Sequence, residues 1–160
     1  MTEFEKVYQD YYLRVHRFLR ALSGSEQEAD ELTQEVFYRA LIHIDSYRDQ
    51  GSMLTWLCTI GKNAWLSHAR KQKRFMPLEE APPLSMPGPE ASILKKEQQH
   101  ALRTAILSLP QEQRDVVILH IYGGIPLKEI AALHGKSESW GKVTFYRAKQ
   151  KLAQKLEGFK

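Results

Sequence analysis

The chain reads as all-α: two small helical domains joined by a Pro-rich linker, the C-terminal one carrying a helix-turn-helix. Apolar residues recur at three- and four-residue spacing through most of its 160 residues. Pro77, Pro82, Pro83, Pro87 and Pro89 crowd into one stretch, and Gly135 divides the last helical pattern into a pair.

Phe4, Val7, Tyr8, Tyr11, Val15, Phe18, Leu19 and Leu22 mark a first amphipathic helix with an aromatic stripe, closed by Gly24 and Ser25. Core packing accounts for the tyrosines, because large rings dominate burial energetics. A second helix, from Ala29, turns Ala29, Leu32, Val36, Ala40 and Ile44 inward. Its approach and outer side carry Glu26, Glu28, Asp30, Glu31 and Glu35, with no Lys or Arg between Arg20 and Arg39. Acid at a helix start complements the macrodipole, which explains residues 26–30; Glu35, deep inside the helix, needs another reason.

Gly51 and Ser52 break the pattern before a third helical stretch. No acidic residue occurs between Asp49 and Glu79, whereas Lys62, Arg70, Lys71, Lys73 and Arg74 gather around Trp56, Trp65 and His68. Cations for phosphates and ring faces for unstacked bases are what single-stranded nucleic acid requires. A solvated basic helix end above a core of Trp56, Leu57, Ile60 and Leu66 is the structural alternative; it suits Trp56 better than the Arg70–Arg74 cluster.

From Phe75 to Ser92 the proline density cannot sustain a helix. This stretch is a semi-rigid linker, spanning on the order of 50 Å when extended. It sets the domains at residues 1–74 and 93–160.

The helical pattern restarts through Ile93, Leu94, Ala101, Leu102, Ala105, Ile106 and Leu109. Pro110 opens the next helix, which Gly123 and Gly124 close, and Pro126 opens a short one through Leu127, Ile130, Ala131 and Leu133. Gly135 supplies the φ > 0 conformation that ends it, and Lys136 to Glu138 offer the groups that start another. In that last helix Gly141, Phe145, Ala148, Leu152 and Leu156 share the core side, with Ser139, Trp140, Val143, Arg147 and Gln150 opposite. Lys142, Arg147, Lys149, Lys151 and Lys155 punctuate it. Such a pair has the geometry of a DNA-reading helix-turn-helix, although geometry alone leaves a generic helical corner equally open.

A net charge of +4 agrees with a nucleic-acid partner only weakly; the distribution carries the inference. Cys58, the sole cysteine, excludes an internal disulfide and suits a reducing cytoplasm. The start, MTEFEKVYQDYY, lacks the apolar run of a signal peptide, and no stretch approaches the ~20 apolar residues of a membrane span. A cytoplasmic protein with no membrane insertion of its own is expected. The acids lie mainly along one helix rather than in a metal-holding cluster, His16, His43, His68, His100, His120 and His134 show no ligand spacing, and no P-loop or G-x-S-x-G occurs. No catalytic residue, metal or cofactor is expected.

These motifs, in this order, resemble the extracytoplasmic-function (ECF) group of the bacterial sigma-70 family over nearly the entire chain. YYLRVHRFLRAL is similar to the family's first helix, ADELTQEVF to its core-polymerase-binding signature, GSMLTWLCTIGKNAWLSHARK to its segment for the −10 element, and SLPQEQRDVVILHIYGGIPLKEIAALHG to its C-terminal domain.

The resemblance implies a sigma factor that binds core RNA polymerase, directs initiation at promoter DNA and is held inactive by an anti-sigma factor. It implies docking of Asp30, Glu31, Gln34 and Glu35 on the clamp helices of the largest polymerase subunit. Lys62, Asn63, Trp65, His68, Arg70, Lys71, Lys73 and Arg74 would engage the −10 element, Asn63 beside a pocket for a flipped base. Lys136, Ser139, Trp140, Lys142, Val143, Thr144, Tyr146, Arg147 and Gln150 would meet the −35 element. The family's recognition helix runs close to V-K-S-R-L-H-R-A-R; here Lys142 and Arg147 are kept while Val143 replaces a hydroxyl and Thr144 a cation, and Ser67 stands where many relatives carry an acid. A helix-turn-helix regulator without initiation activity is the alternative.

Overall fold

The computed structural model describes residues 1–47, 52–75 and 90–157, without the side chains of residue 46, residues 73–75 and residues 90–94. All regular structure among them is helical: α1 (Glu3–Ser23), α2 (Glu26–His43) running into a short 3₁₀ turn (Ile44–Ser46), α3 (Met53–Phe75), α4 (Glu90–Leu107), α5 (Gln111–Val117) continued by a π-helical turn (Ile118–Tyr122), α6 (Leu127–Leu133) and α7 (Glu138–Lys155). None is long and apolar enough to cross a membrane.

Local chemistry sets the boundaries. Thr2 and Glu5 form a reciprocal capping box at the start of α1, each side chain accepting from the other's backbone N–H. Gly24 ends α1 at φ 74°, a conformation that favours glycine, and Ser25 at once caps α2. Capping thus starts α2 at Glu26, three residues before its apolar pattern begins. Phe75 and residues 90–92, expected in the linker, lie in helices; the prolines between them fall outside the described residues.

In the N-terminal half α1, α2 and α3 pack around Val15, Leu19, Leu22, Val36 and Leu57, all fully buried. The inward positions expected of α2 hold: Ala29, Leu32, Val36 and Ala40 are buried, and Thr33 joins them by donating its hydroxyl to Ala29 O at 2.6 Å. A Cβ at Gly61 would stand 3.3 Å from Leu19 and 3.4 Å from Val36, so the missing side chain lets α3 settle against both other helices. Tyr8 is 44% exposed, yet it meets Phe37 edge-on at 5.0 Å and Tyr12 at 5.1 Å, which gives the aromatic stripe its packing role.

The C-terminal half wraps α4, α5, α6 and α7 around Ile106, Val116, Val117, Ile118, Ile125 and Ile130. The expected single helix from Pro110 widens after Val117, with Gly123 N–H reaching Ile118 O at 3.3 Å. His120 Nδ1 lies 2.8 Å from Ile125 O and so fastens the wide turn to the chain that follows it. Through this turn the two halves meet, and their buried side chains form one continuous core.

Candidate functional site

Three helix surfaces carry the groups singled out by the sequence. On α2, Leu32 and Val36 fix the buried side, so Asp30, Glu31 and Gln34 are exposed and Glu35 is half-exposed. Glu35 pairs with Arg39 one turn later, a surface pair of small energetic weight that accounts for an acid in mid-helix. Asp30 Oδ1 stands 2.8 Å from His16 Nε2 and Glu26 Oε1 3.3 Å from it, while Arg20 donates to Glu26 at 3.0 Å. Hydrogen bonds to α1 therefore occupy the first turn of the acidic strip and leave Glu31 and Gln34 to solvent. This histidine and its two carboxylates, grouped within 4.8 Å, were hidden from a search by spacing because they come from two helices. Tyr38, Leu41 and Ile42, each at least half exposed, extend the same face; the sequence reading overlooked them, though they fall one and two turns beyond Gln34 and Glu35.

Along α3 the expected set separates. Asn63, Ser67, Arg70 and Lys71 are exposed and, at four- and three-residue steps, share one face. Trp65 is only 5% exposed: its ring is core, not a platform for a base. Trp56 is half-buried against Tyr47. Gln72 donates to Glu28 Oε1 at 3.3 Å and fastens α3 to α2, and His68 Nε2 lies 2.7 Å from the same oxygen. The side chains of Lys73 and Arg74 lie outside the described residues. Lys62 departs furthest from expectation. It is 6% exposed, and its Nζ meets Asp115 Oδ2 of α5 at 3.2 Å. Burial lowers the lysine pKa and Arg114 adds to this, while Asp115 pulls the other way.

The helix-turn-helix is α6, a turn through Gly135 at φ 67°, and α7 capped by the Ser137 hydroxyl. A Cβ at Gly141 would lie 3.0 Å from Leu127 O and 3.4 Å from Ala131 Cβ; glycine there sets how closely the two helices cross. On the outward side Lys136, Ser139, Lys142, Val143, Tyr146, Arg147 and Gln150 are exposed, and Gln150 donates to the Tyr146 hydroxyl at 3.2 Å. Trp140 is half-buried and packs on His134 of the turn at 5.2 Å. Thr144, expected to face DNA, is 7% exposed and turned inward, because its position lies between the Gly141 and Ala148 contacts of the buried side. Arg147 and Val143 line a groove of about 310 Å³ against the start of α5.

Helices α1 to α3 with an acidic outer strip and a basic side on α3, followed by a four-helix unit ending in a helix-turn-helix, have the architecture of a sigma factor of the sigma-70 type. Residues 7–75 match the model of Sigma-70 region 2 and residues 99–152 that of Sigma-70, region 4. The chain belongs to the ECF sigma factors. It is 34% identical to the ECF RNA polymerase sigma factor EcfG of Rhodopseudomonas palustris, over 87% of this chain and 77% of that one. To the ECF RNA polymerase sigma factor SigM of Bacillus subtilis it is 29% identical, over 92% and 91%. The fold is similar to that of the sigma factor RpoE in complex with the anti-sigma factor NepR from Bartonella quintana, with a TM-score of 0.62 at 23% identity across 98% of each chain. It is likewise similar to CnrH in complex with the cytosolic domain of CnrY, at 0.62 and 21% over 97% and 88%. The family comprises transcription initiation factors rather than enzymes.

Proposed function

We propose that the chain divides the work of a sigma factor, binding core RNA polymerase and directing promoter-specific initiation, over three surfaces. The outer strip of α2, Asp30, Glu31, Gln34 and Glu35 with the apolar continuation at Tyr38, Leu41 and Ile42, docks on the polymerase. The α3 face of Asn63, Arg70 and Lys71, joined by Lys62, Lys73 and Arg74, engages the −10 element. Arg147, with Lys136, Ser139, Lys142, Val143, Tyr146 and Gln150, meets the −35 element. The units that do this are residues 1–74 and 93–160. The carrying observation is that α2 presents a continuous polar and apolar strip that its own fold does not cover. Such a protein works in the cytoplasm, and an anti-sigma factor is its natural regulator; the RpoE relative named above was captured with one.

Charge reversal at Glu31→Lys together with Glu35→Lys tests the docking strip. Pull-down by core polymerase should fall severalfold while the protein's affinity for duplex DNA is kept. Unchanged holoenzyme formation would remove α2 from the polymerase interface.

A further inference from the structure

His16 of α1 and Glu26 and Asp30 of α2 bring a nitrogen and two carboxylate oxygens to one point between the helices. Glu26 and Asp30 stand four residues apart, so both carboxylates leave α2 on the same side, toward α1. His16 Nε2 lies 2.8 Å from Asp30 Oδ1 and 3.3 Å from Glu26 Oε1, and one ligand atom from each of the three residues falls within 4.8 Å of the others. The imidazole is held in place: its side chain is 19% exposed, and the Tyr12 ring stacks on it with centroids 6.1 Å apart. Arg20 donates at 3.0 Å to Glu26 Oε2, which orients that carboxylate and leaves Oε1 turned to the histidine.

These three atoms have too little positive charge between them. A hydrogen on Nε2 makes a good bond to Asp30 but only a long one to Glu26. The negative field reaches Tyr12, whose pKa is raised by burial first and then by Tyr8, Asp30 and Glu26. A divalent ion suits the geometry. With bonds of ~2.0–2.2 Å to zinc, ligand atoms set between a right angle and the tetrahedral angle stand about 2.8–3.6 Å apart. Both distances from Nε2 fall in that interval. One imidazole with two carboxylates favours zinc and its first-row neighbours over calcium or magnesium, which prefer oxygen alone. We propose that His16, Glu26 and Asp30 form a site for a divalent transition ion, zinc by its donor set, which braces α1 to the start of α2 and leaves a fourth coordination position to water. Bound there, the ion neutralises Asp30 at the head of the acidic strip and so weakens polymerase docking. That consequence, unlike the site itself, rests on the docking reading given above.

Calorimetric titration of the untagged full-length chain with zinc chloride tests the site. It should show roughly one tight equivalent, and cobalt(II) in place of zinc should give the visible bands of a four- or five-coordinate ion. His16→Ala should weaken the affinity by roughly ten-fold or more, a loss that even outer-shell changes cause at metal sites. Asp30→Asn, nearly isosteric and at an exposed position, should do the same with the fold intact by circular dichroism, while His100→Ala, exposed on α4, should change nothing. No zinc uptake, or uptake that His16→Ala and Asp30→Asn both leave unaltered, would overturn the site and reduce the cluster to an imidazolium–carboxylate pair. Pull-down by core polymerase in zinc and in EDTA tests the consequence: capture of the unmodified chain should fall severalfold in zinc, and that of His16→Ala should not. Capture insensitive to zinc in both, with zinc still bound, would overturn the effect on docking. Absence of capture in either condition would count against the docking reading, whereas the titration judges the site without polymerase.

Discussion

Lys62 shows how far a residue's role depends on what packs over it. Its charge and position in the acid-free run place it with the DNA-facing cations, yet Asp115, 53 residues away, takes its ammonium below the surface. No spacing rule links those two positions, so their contact was not legible in the sequence. Trp65 and Thr144 were misassigned for a related reason: composition names the residue type, but one step of helix rotation decides whether a ring or hydroxyl faces the core. Arg147, whose position and exposure agree with expectation, gives a sharp test. Arg147→Ala should weaken binding to −35 duplex by about 1–3 kcal/mol if the guanidinium reads a base; equal losses on all sequences would reassign it to a phosphate. Cys58 offers another. Burial pushes its thiol up to about 12, so alkylation by iodoacetamide at pH 8 should be slow in the native protein and fast in urea; rapid native labelling would contradict the packing of α3.

At the level of single helices the sequence was most informative where periodicity and capping agree. Val15, Phe18, Leu19 and Leu22 of α1, Ala29, Leu32, Val36 and Ala40 of α2, and Gly141, Ala148 and Leu152 of α7 land on the buried sides, as one stripe facing one core requires. Boundaries were less legible: the Ser25 cap extends α2 backwards, and the π-helical turn at Ile118 leaves no trace in hydrophobic spacing. Glycines locate the close crossings. Gly141→Leu should destabilise the helix-turn-helix by roughly 1–3 kcal/mol, because the new side chain meets Leu127 O and Ala131 where α6 and α7 cross. Thermal denaturation measures this, and an unshifted midpoint would place the two helices further apart. Leu19→Ala, at a fully buried point between α1, α2 and α3, should cost about 2–5 kcal/mol in the same assay.

Across the whole molecule, the order of acidic helix, basic helix and helix-turn-helix was legible because each segment has its own charge and breaker signature; how the halves sit together was not. Glu129 carries a pH signature of that arrangement. Burial raises its pKa, but hydrogen bonds from the Ser52 backbone and the Thr55 and Ser52 side chains outweigh it and leave the carboxyl below the ordinary value. A lowered pKa in the folded protein means that the carboxylate's contribution to stability is complete above the ordinary carboxylate value and is lost as pH falls through the folded-state value. The thermal midpoint should therefore fall on acidification through that range, with Glu129→Gln flattening this response; identical pH profiles would exclude Glu129 as its source.

The account stands on the chain acting as a promoter-specificity subunit. Core polymerase reconstituted with the full-length protein can select fragments from a genomic library, and run-off transcription on those fragments is the direct measurement. A discrete transcript that disappears when either upstream element is scrambled is the predicted result. No transcript from a holoenzyme that assembles and binds the same DNA would contradict it.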